Sequence, residues 1–245
     1  MTDFDPAAYG RRVADGYDDS TRWLGSVEPA VGTLAELAAG GPVLEFGIGS
    51  GRLALPLAAR GIAVAGIDGS VEMVDLLRGK PGGADVPVSV GDFAGTRVEG
   101  RFAVVLLAFN TVFALPDQQA QVRCFRNAAG HLAPGGRFVV EAWVPDPGAF
   151  RGGRSVQLVT VGEDEVQLQA AELFPAEQFM RVVKVRVTDG GVRLLPATHR
   201  YAWPAELDLM AQLAGLEREH RWADWSRTPF GDTSTDHVSV YRRPT

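Results

Sequence analysis

VLEFGIGSG, Val43 to Gly51, runs from an apolar segment into glycine at every second position: Gly47, Gly49 and Gly51. A strand that ends this way presents bare backbone. Where a helix follows, its free N–H groups point at whatever lies there. Two ligand classes suit such a turn: a dinucleotide, and a nucleoside that carries an amino acid. The dinucleotide fingerprint wants glycine at its first, third and sixth positions. Here those positions are Gly47, Gly49 and Arg52, so the sixth fails. Glu45 stands two residues ahead of the first glycine, where a carboxylate repels a pyrophosphate and suits an ammonium group. The nucleoside is favoured.

Downstream of this turn, strand and helix signals alternate. Apolar runs at 43–46, 62–67, 86–90, 102–109 and 137–144 are separated by helical patterns at 51–60, 70–78 and 117–132, the last expected to stop at Pro134-Gly135-Gly136. Continuous apolar strands between helices predict a parallel sheet covered on both faces. After Pro145 the pattern changes to alternation, with strands expected at 155–160, 165–173, 178–188 and 192–201 and a hairpin signal at Thr188-Asp189-Gly190-Gly191. A helix in PAELDLMAQLAG and two further strands follow. The expected architecture is α/β: a Rossmann-like, seven-stranded, mostly parallel sheet flanked by helices, with a small antiparallel β insert. Its divisions are a helical N-terminal segment over 1–23, a ligand-binding core over 24–147, the insert over 148–200, and a completion of the core sheet over 201–245.

The 245 residues carry a formal charge of -6, with 46% hydrophobic and 22% charged residues. That balance, with no basic stripe, argues against nucleic acid or an anionic membrane as a partner. No run approaches the roughly 18 apolar residues of a membrane span. One cysteine, Cys124, excludes an internal disulfide, and the polar start MTDFDPAAYG lacks a secretory pattern. Both point to the cytoplasm.

The second strand ends in Gly66-Ile67-Asp68-Gly69-Ser70, placing Asp68 about 20 residues beyond the glycines, where a ribose diol is grasped. A cap on the next helix is the other reading of Asp68. The third strand runs into Gly91-Asp92-Phe93, an acid for an adenine amino group and a ring to cover its face. Glu45, Asp68 and Asp92 thus end three successive strands, at the edge where open α/β sheets bind ligands.

Together VLEFGIGSGRLALPLAARG, VAGIDGSVEMVDLLR, VGDFAG, LAFNTVFAL and LAPGGRFVVEAW resemble the class I S-adenosylmethionine-dependent methyltransferases. The resemblance covers about Pro42 to Val144 and resumes from Tyr201 to Tyr241. It is closest to actinobacterial small-molecule enzymes with a β insert over the active site. It implies S-adenosylmethionine as cofactor, S-adenosylhomocysteine as product, and methyl transfer to N, O or C of a small acceptor, such as a cyclic or aromatic secondary metabolite. By resemblance, Glu45 with Gly47, Gly49 and Gly51 holds the methionyl part, Asp68 and Gly69 the ribose, and Gly91, Asp92, Phe93 and Met73 the adenine. Met73 reads equally well as core filler, and Gly69 departs from the family's usual Leu or Ala. The resemblance also implies a lid in which Tyr17 and Arg22 reach the cofactor and Tyr9 faces the acceptor.

Methyl transfer rests mainly on placing a nucleophile in line with an electrophile that is already strong. A base is needed where the acceptor must lose a proton. Acceptor contacts are expected from Asn110, Phe113 and Trp143, beyond strands four and five; Asn110 is also a cofactor candidate, or the residue that satisfies a turn. The base candidates are His199, His220 and Glu141, each with a structural role as the competing reading. No His or Cys spacing suits a metal, so none is expected. Exposed edges of the insert suggest a homodimer. The alternatives to methyl transfer are an NAD-dependent oxidoreductase and a non-catalytic cofactor-binding subunit.

Overall fold

Buried apolar side chains decide the centre of the sheet. VLEF and FAVVLL are apolar at every position but one, and both form strands with almost no exposed surface. The computed structural model describes residues 4–18 and 26–245. It divides into two compact units, Met1–Val144 with Pro204–Thr245, and Pro145–Trp203.

In the first unit, α1 (Ala8–Val13) and α2 (Glu28–Ala38) precede β1 (Val43–Phe46), α3 (Ala54–Ala59), β2 (Val64–Asp68), α4 (Val71–Arg78), β3 (Val88–Val90), β4 (Phe102–Leu107), α5 (Gln118–His131) and β5 (Leu132–Trp143). The second unit is a meander of β6 (Arg154–Val161), β7 (Glu165–Phe174), β8 (Phe179–Thr188) and β9 (Gly191–Arg200), each strand pairing with the next. The chain then returns to the first unit with α6 (Pro204–Leu213), β10 (Glu217–Trp222) and β11 (Asp236–Arg242). The large sheet runs β10-β11-β5-β4-β1-β2-β3, parallel except for β11. Among the described residues no helix is long and apolar enough to cross a membrane.

Four consecutive residues of β4, Val104 to Leu107, have no exposed surface. Burial of each side chain contributes about 1.5–3 kcal/mol, so β4 and its neighbours form a rigid floor under the sheet's carboxyl edge. The order reverses beside β1, with β4 on one flank and β2 on the other. That crevice is where such sheets take ligands.

Several boundaries differ from the expected ones, and the reasons are long-range. β5 begins at Leu132 rather than Arg137, because Leu132 pairs with Phe102 and the Pro134-Gly135-Gly136 stretch is held by Arg243. Gly135 N donates to Arg243 O at 3.1 Å, and Arg243 N to Gly136 O at 2.8 Å. β4 stops at Leu107 because Phe109 and Asn110 turn into left-handed backbone, with φ of 52° and 61°. α3 starts at Ala54 rather than Gly51, whose φ of 81° is not helical.

An ion-pair network fastens α6 to the last two strands. Arg221 Nη2 donates to Asp208 Oδ1 at 2.6 Å, Arg221 Nε to Ser239 Oγ at 2.8 Å, and Tyr241 Oη to Asp208 Oδ1 at 3.0 Å. The Arg221 side chain is only 8% exposed. Asp208→Ala strands that guanidinium without its carboxylate, and is expected to lower stability by about 3 kcal/mol in urea denaturation.

Candidate active site

The turn after β1 is built from conformations that only glycine adopts freely: Gly47, Gly49 and Gly51 have φ of 69°, 55° and 81°. It is tied to the end of β2. Gly47 N and Ile48 N both donate to Ile67 O, at 2.7 and 3.2 Å. The Asp68 carboxylate then joins two turns, Oδ2 accepting from Gly49 N at 2.7 Å and Oδ1 from Ser70 N at 2.9 Å. Burial raises the Asp68 carboxyl above the ordinary carboxylate range, and the N–H groups of Ser70, Gly49 and Gly69 oppose that shift. Ser70 in turn caps α4, its Oγ accepting from Met73 N at 3.3 Å.

Glu45 lies beneath the same turn, buried, and its Oε2 has no hydrogen-bond partner among the described residues. Its carboxyl is pushed up to about 8, first by burial; nearby Asp68 and Glu141 add to the shift, while Arg52 and the Ala54 N–H oppose it.

The N-terminal segment packs onto this edge. A Cβ on Gly69 would sit 2.5 Å from Pro6 O, and one on Gly10 would sit 2.3 Å from Ser70 Cβ. Asp18 Oδ1 accepts from Ser50 Oγ at 2.6 Å, and Lys80 Nζ bridges Asp18 Oδ2 at 2.6 Å and Ser50 O at 2.8 Å. Burial, with Tyr9 nearby, raises the Tyr17 hydroxyl, and the charges of Arg52 and Asp68 also act on it.

Beyond β3, Asp92 Oδ1 accepts from Ala94 N at 2.8 Å, and Phe93 is buried with its ring stacked 6.0 Å from Phe46. Beyond β4, the left-handed pair Phe109-Asn110 is held by β5. Phe109 N donates to Glu141 Oε2 at 2.7 Å, Asn110 N to Glu141 O at 3.0 Å, and Trp143 N to Asn110 Oδ1 at 2.6 Å. The second oxygen, Glu141 Oε1, accepts from Trp225 Nε1 at 2.6 Å.

Residues 43–136 match the model of a methyltransferase domain. The structure superposes on the CcbJ methyltransferase of Streptomyces caelestis with a TM-score of 0.91 and 40% identity, over 99% of this chain and 100% of that one. The chain belongs to the S-adenosylmethionine-dependent methyltransferases. The cypemycin N-terminal methyltransferase of a Streptomyces species is 28% identical over 98% of this chain and 99% of its own length. A methyltransferase of Clostridium acetobutylicum, at 12% identity and a TM-score of 0.81, shares the fold.

In the methyltransferase, Gly69 has a local cause: any side chain there would meet Pro6. Gly91 likewise makes room for Thr96, whose Oγ1 would lie 2.3 Å from an added Cβ. Met73 is buried on α4, its Cε 3.3 Å from where a Cβ on Gly49 would stand. Tyr9 is half exposed. Phe113 has no exposed surface and packs edge-on against Trp143 at 4.6 Å. Arg22, with its neighbour Trp23, lies outside the described residues.

Of the three base candidates, Glu141 and His220 lie in the first unit with partners of their own. Both oxygens of Glu141 serve the Phe109-Asn110 turn and Trp225. His220 stacks on Trp222 in the outer strand β10, four strand steps from β1, or roughly 19 Å at the usual spacing. An open depression along β10, floored by Glu219, Arg221 and Phe230, belongs to that outer edge. His199 lies in the second unit, its imidazole pushed down to about 4, first by burial and then by Lys184. A base that weak takes a proton poorly at neutral pH. Sequence reasoning missed Asp18, Ser50 and Lys80, with the GYDDS stretch beside Tyr17 the one local signal for the first; Trp225, a candidate for an aromatic pocket or for the core, instead donates to Glu141.

Glu45 makes a pH prediction. A carboxyl whose folded value exceeds its ordinary 4.5 takes up a proton on folding. Stability therefore falls as pH rises from about 4.5 to about 8 and stays low above that. Glu45→Gln should match the wild type near pH 5 and melt higher at pH 8, by about 2–4 kcal/mol at about 1.4 kcal/mol per pKa unit. Glu141 makes a second. If it positions the turn, Glu141→Gln loses about 1–3 kcal/mol of stability, and Trp225→Phe reproduces part of that loss. A fall in turnover with stability unchanged would instead mark Glu141 as a base.

Proposed function

We propose that this enzyme transfers the methyl group of S-adenosylmethionine to an amine nitrogen of a small metabolite. The observation that carries the cofactor side is Glu45, a buried acid with one oxygen unpartnered under a turn of three left-handed glycines. That is a receptor for a cation approaching bare backbone, and the methionyl ammonium is such a cation. In this reading Glu45 ionises against that ammonium, and Gly47, Gly49 and Gly51 let the ligand lie close to the N–H groups. Asp68 keeps lone pairs for the ribose hydroxyls while it holds the two turns together. Asp92 and Phe93 receive the adenine, with Gly91 and Met73 shaping their surroundings. Tyr17, brought in by the Asp18–Ser50–Lys80 contacts, closes the N-terminal segment as a lid.

When bound, the cofactor supplies a sulfonium-borne electrophilic methyl group. The chain's part is to orient the acceptor and exclude water, a contribution worth up to about 7–11 kcal/mol. Asn110, its Oδ1 committed to Trp143 N, keeps Nδ2 as a donor toward cofactor or acceptor; Trp143 and Tyr9 are the rings for the acceptor. A neutral amine attacks with its own lone pair and needs no early proton removal. That suits a site whose acid candidate, Glu141, is engaged with Phe109 N and Trp225 Nε1. The named activity of the cypemycin enzyme, at an N-terminus, is also methylation of an amine. The same reading sets the enzyme in the cytoplasm, in secondary metabolism, in line with the Streptomyces sources of both relatives.

Calorimetry tests this. S-adenosylhomocysteine should bind and NAD should not. Near pH 7 binding should release a proton from Glu45, seen as a heat that differs between phosphate and Tris buffers. Glu45→Gln should bind about 10- to 100-fold more weakly, the value of a charged hydrogen bond, with the proton release gone. Equal binding by Glu45→Gln, with the release retained, overturns the assignment.

A further inference from the structure

The two faces of the second unit differ in chemistry. In antiparallel pairs, residues directly opposite share a face. One face carries Leu158, Leu168, Val185 and Leu194 in register. The other carries a row of Gln157, Gln169, Lys184 and Leu195. Beside it runs a row of short side chains, Ser155, Ala171, Val182 and Ala197, and beyond that Leu173, Met180 and His199. The short middle row floors a trough between the two taller ones. The outer rows lie four residues apart along the strands, roughly 14 Å at the usual rise. Polar groups in this trough lack partners. Lys184 is half-buried, and among the described residues neither it nor the Gln169 amide makes an ion pair or a side-chain hydrogen bond. Nδ1 of His199 is buried and unpartnered as well. Burial pulls the Lys184 ammonium below its ordinary range, and its charge reaches His199 across the trough. The acid of this face is taken: Glu165 accepts from Arg186 Nε and Gln167 Nε2, at 2.7 and 2.9 Å.

We propose that this trough binds a small molecule that carries a carboxylate on an apolar ring or chain. Lys184 Nζ and the Gln169 amide take the carboxylate, and Ala171, Val182 and Ala197 lie under the apolar part. At the far side His199, uncharged near pH 7, offers Nδ1 to a polar group of the same ligand. An ammonium drawn out of water without a counter-charge is costly, and an arriving anion offsets that cost. The donor set selects the anion. One unpaired ammonium with an amide beside it matches the two oxygens of a carboxylate, whereas a phosphate dianion asks for a second cation. Arg186 and Arg193, the other cations of this face, are both engaged. The assignment goes beyond the methyl-transfer reading. The carboxylate belongs either to the acceptor or to a separate metabolite, and the same groups hold it in both cases.

An NMR titration of the full chain with benzoate tests this, with benzamide and phenyl phosphate as controls. Benzoate should bind with a Kd on the order of 1 mM. Benzamide, the neutral isostere, should bind at least about tenfold more weakly, the value of a charged hydrogen bond, and phenyl phosphate no more tightly than benzoate. Lys184→Met should weaken benzoate by about tenfold or more and leave benzamide unchanged, while Lys184→Arg keeps benzoate within about threefold. Unchanged circular dichroism and S-adenosylhomocysteine binding would show that both variants fold. With benzoate and S-adenosylhomocysteine bound together, NOEs between the two ligands assign the carboxylate to the acceptor. Benzoate binding without such NOEs assigns it to a separate metabolite. Equal binding of benzoate and benzamide overturns the proposal. So does a Lys184→Met variant that binds benzoate as tightly as the wild type, tighter binding of phenyl phosphate, or no benzoate binding at millimolar concentration. None of these outcomes touches the cofactor reading, which S-adenosylhomocysteine binding tests by itself.

Discussion

The carboxylate of Asp68 accepts hydrogen bonds from Gly49 N and Ser70 N, groups that belong to two different turns. Through it the loop after β1 and the loop after β2 become one closed ring of backbone. A turn with three left-handed glycines is costly to order, because glycine loses more conformational freedom on folding than any other residue. Two charge-assisted bonds of about 1.5–3 kcal/mol each offset that cost, and Ile67 O adds two more contacts from the same strand end. The rest of the edge leans on this ring: Pro6 lies on Gly69, Gly10 on Ser70, and Asp18 on Ser50.

Glu45 and Asp68 are both buried acids beside the same glycine turn, yet they differ in what surrounds them. Asp68 is met by three backbone N–H groups that oppose its desolvation. Glu45 has one such donor and an oxygen left over. One acid is spent on structure and the other is held unsatisfied. Buried polar atoms without partners are uncommon in folded proteins, and they concentrate where a ligand completes them. The methyltransferase thus carries local instability beside its glycine turn and balances it with the rigid strands behind, β4 above all.

Much of the core was legible because its signals are local. Continuous apolar runs marked the parallel strands, and the glycine spacing marked the turn between β1 and α3. The placement of Glu45, Asp68 and Asp92 followed from topology, since successive parallel strands must end on one edge. What the sequence hid depends on partners far away in the chain. β5 starts early because Arg243 pairs beside it, and β4 ends early because Glu141 captures Phe109 N across 32 residues. Trp225 reaches Glu141 across 84 residues. The base candidates show the same limit. An acid or a histidine announces its chemistry by type, but whether that chemistry is free depends on what it touches, and Glu141 is already engaged.

The order of the strands also bears on how the protein is made. The four strands of the second unit pair strictly with their sequence neighbours, so each can form as a local hairpin soon after it leaves the ribosome. β5 is different. Its free side is covered only by β11, and Trp143 waits for Asp236, some 90 residues later. At about 5–20 residues per second, a twelve-residue strand stands with one unpaired edge for several seconds of every synthesis. A nascent chain in that interval is a natural client for a chaperone, and translation speed through the second unit sets how long the exposure lasts.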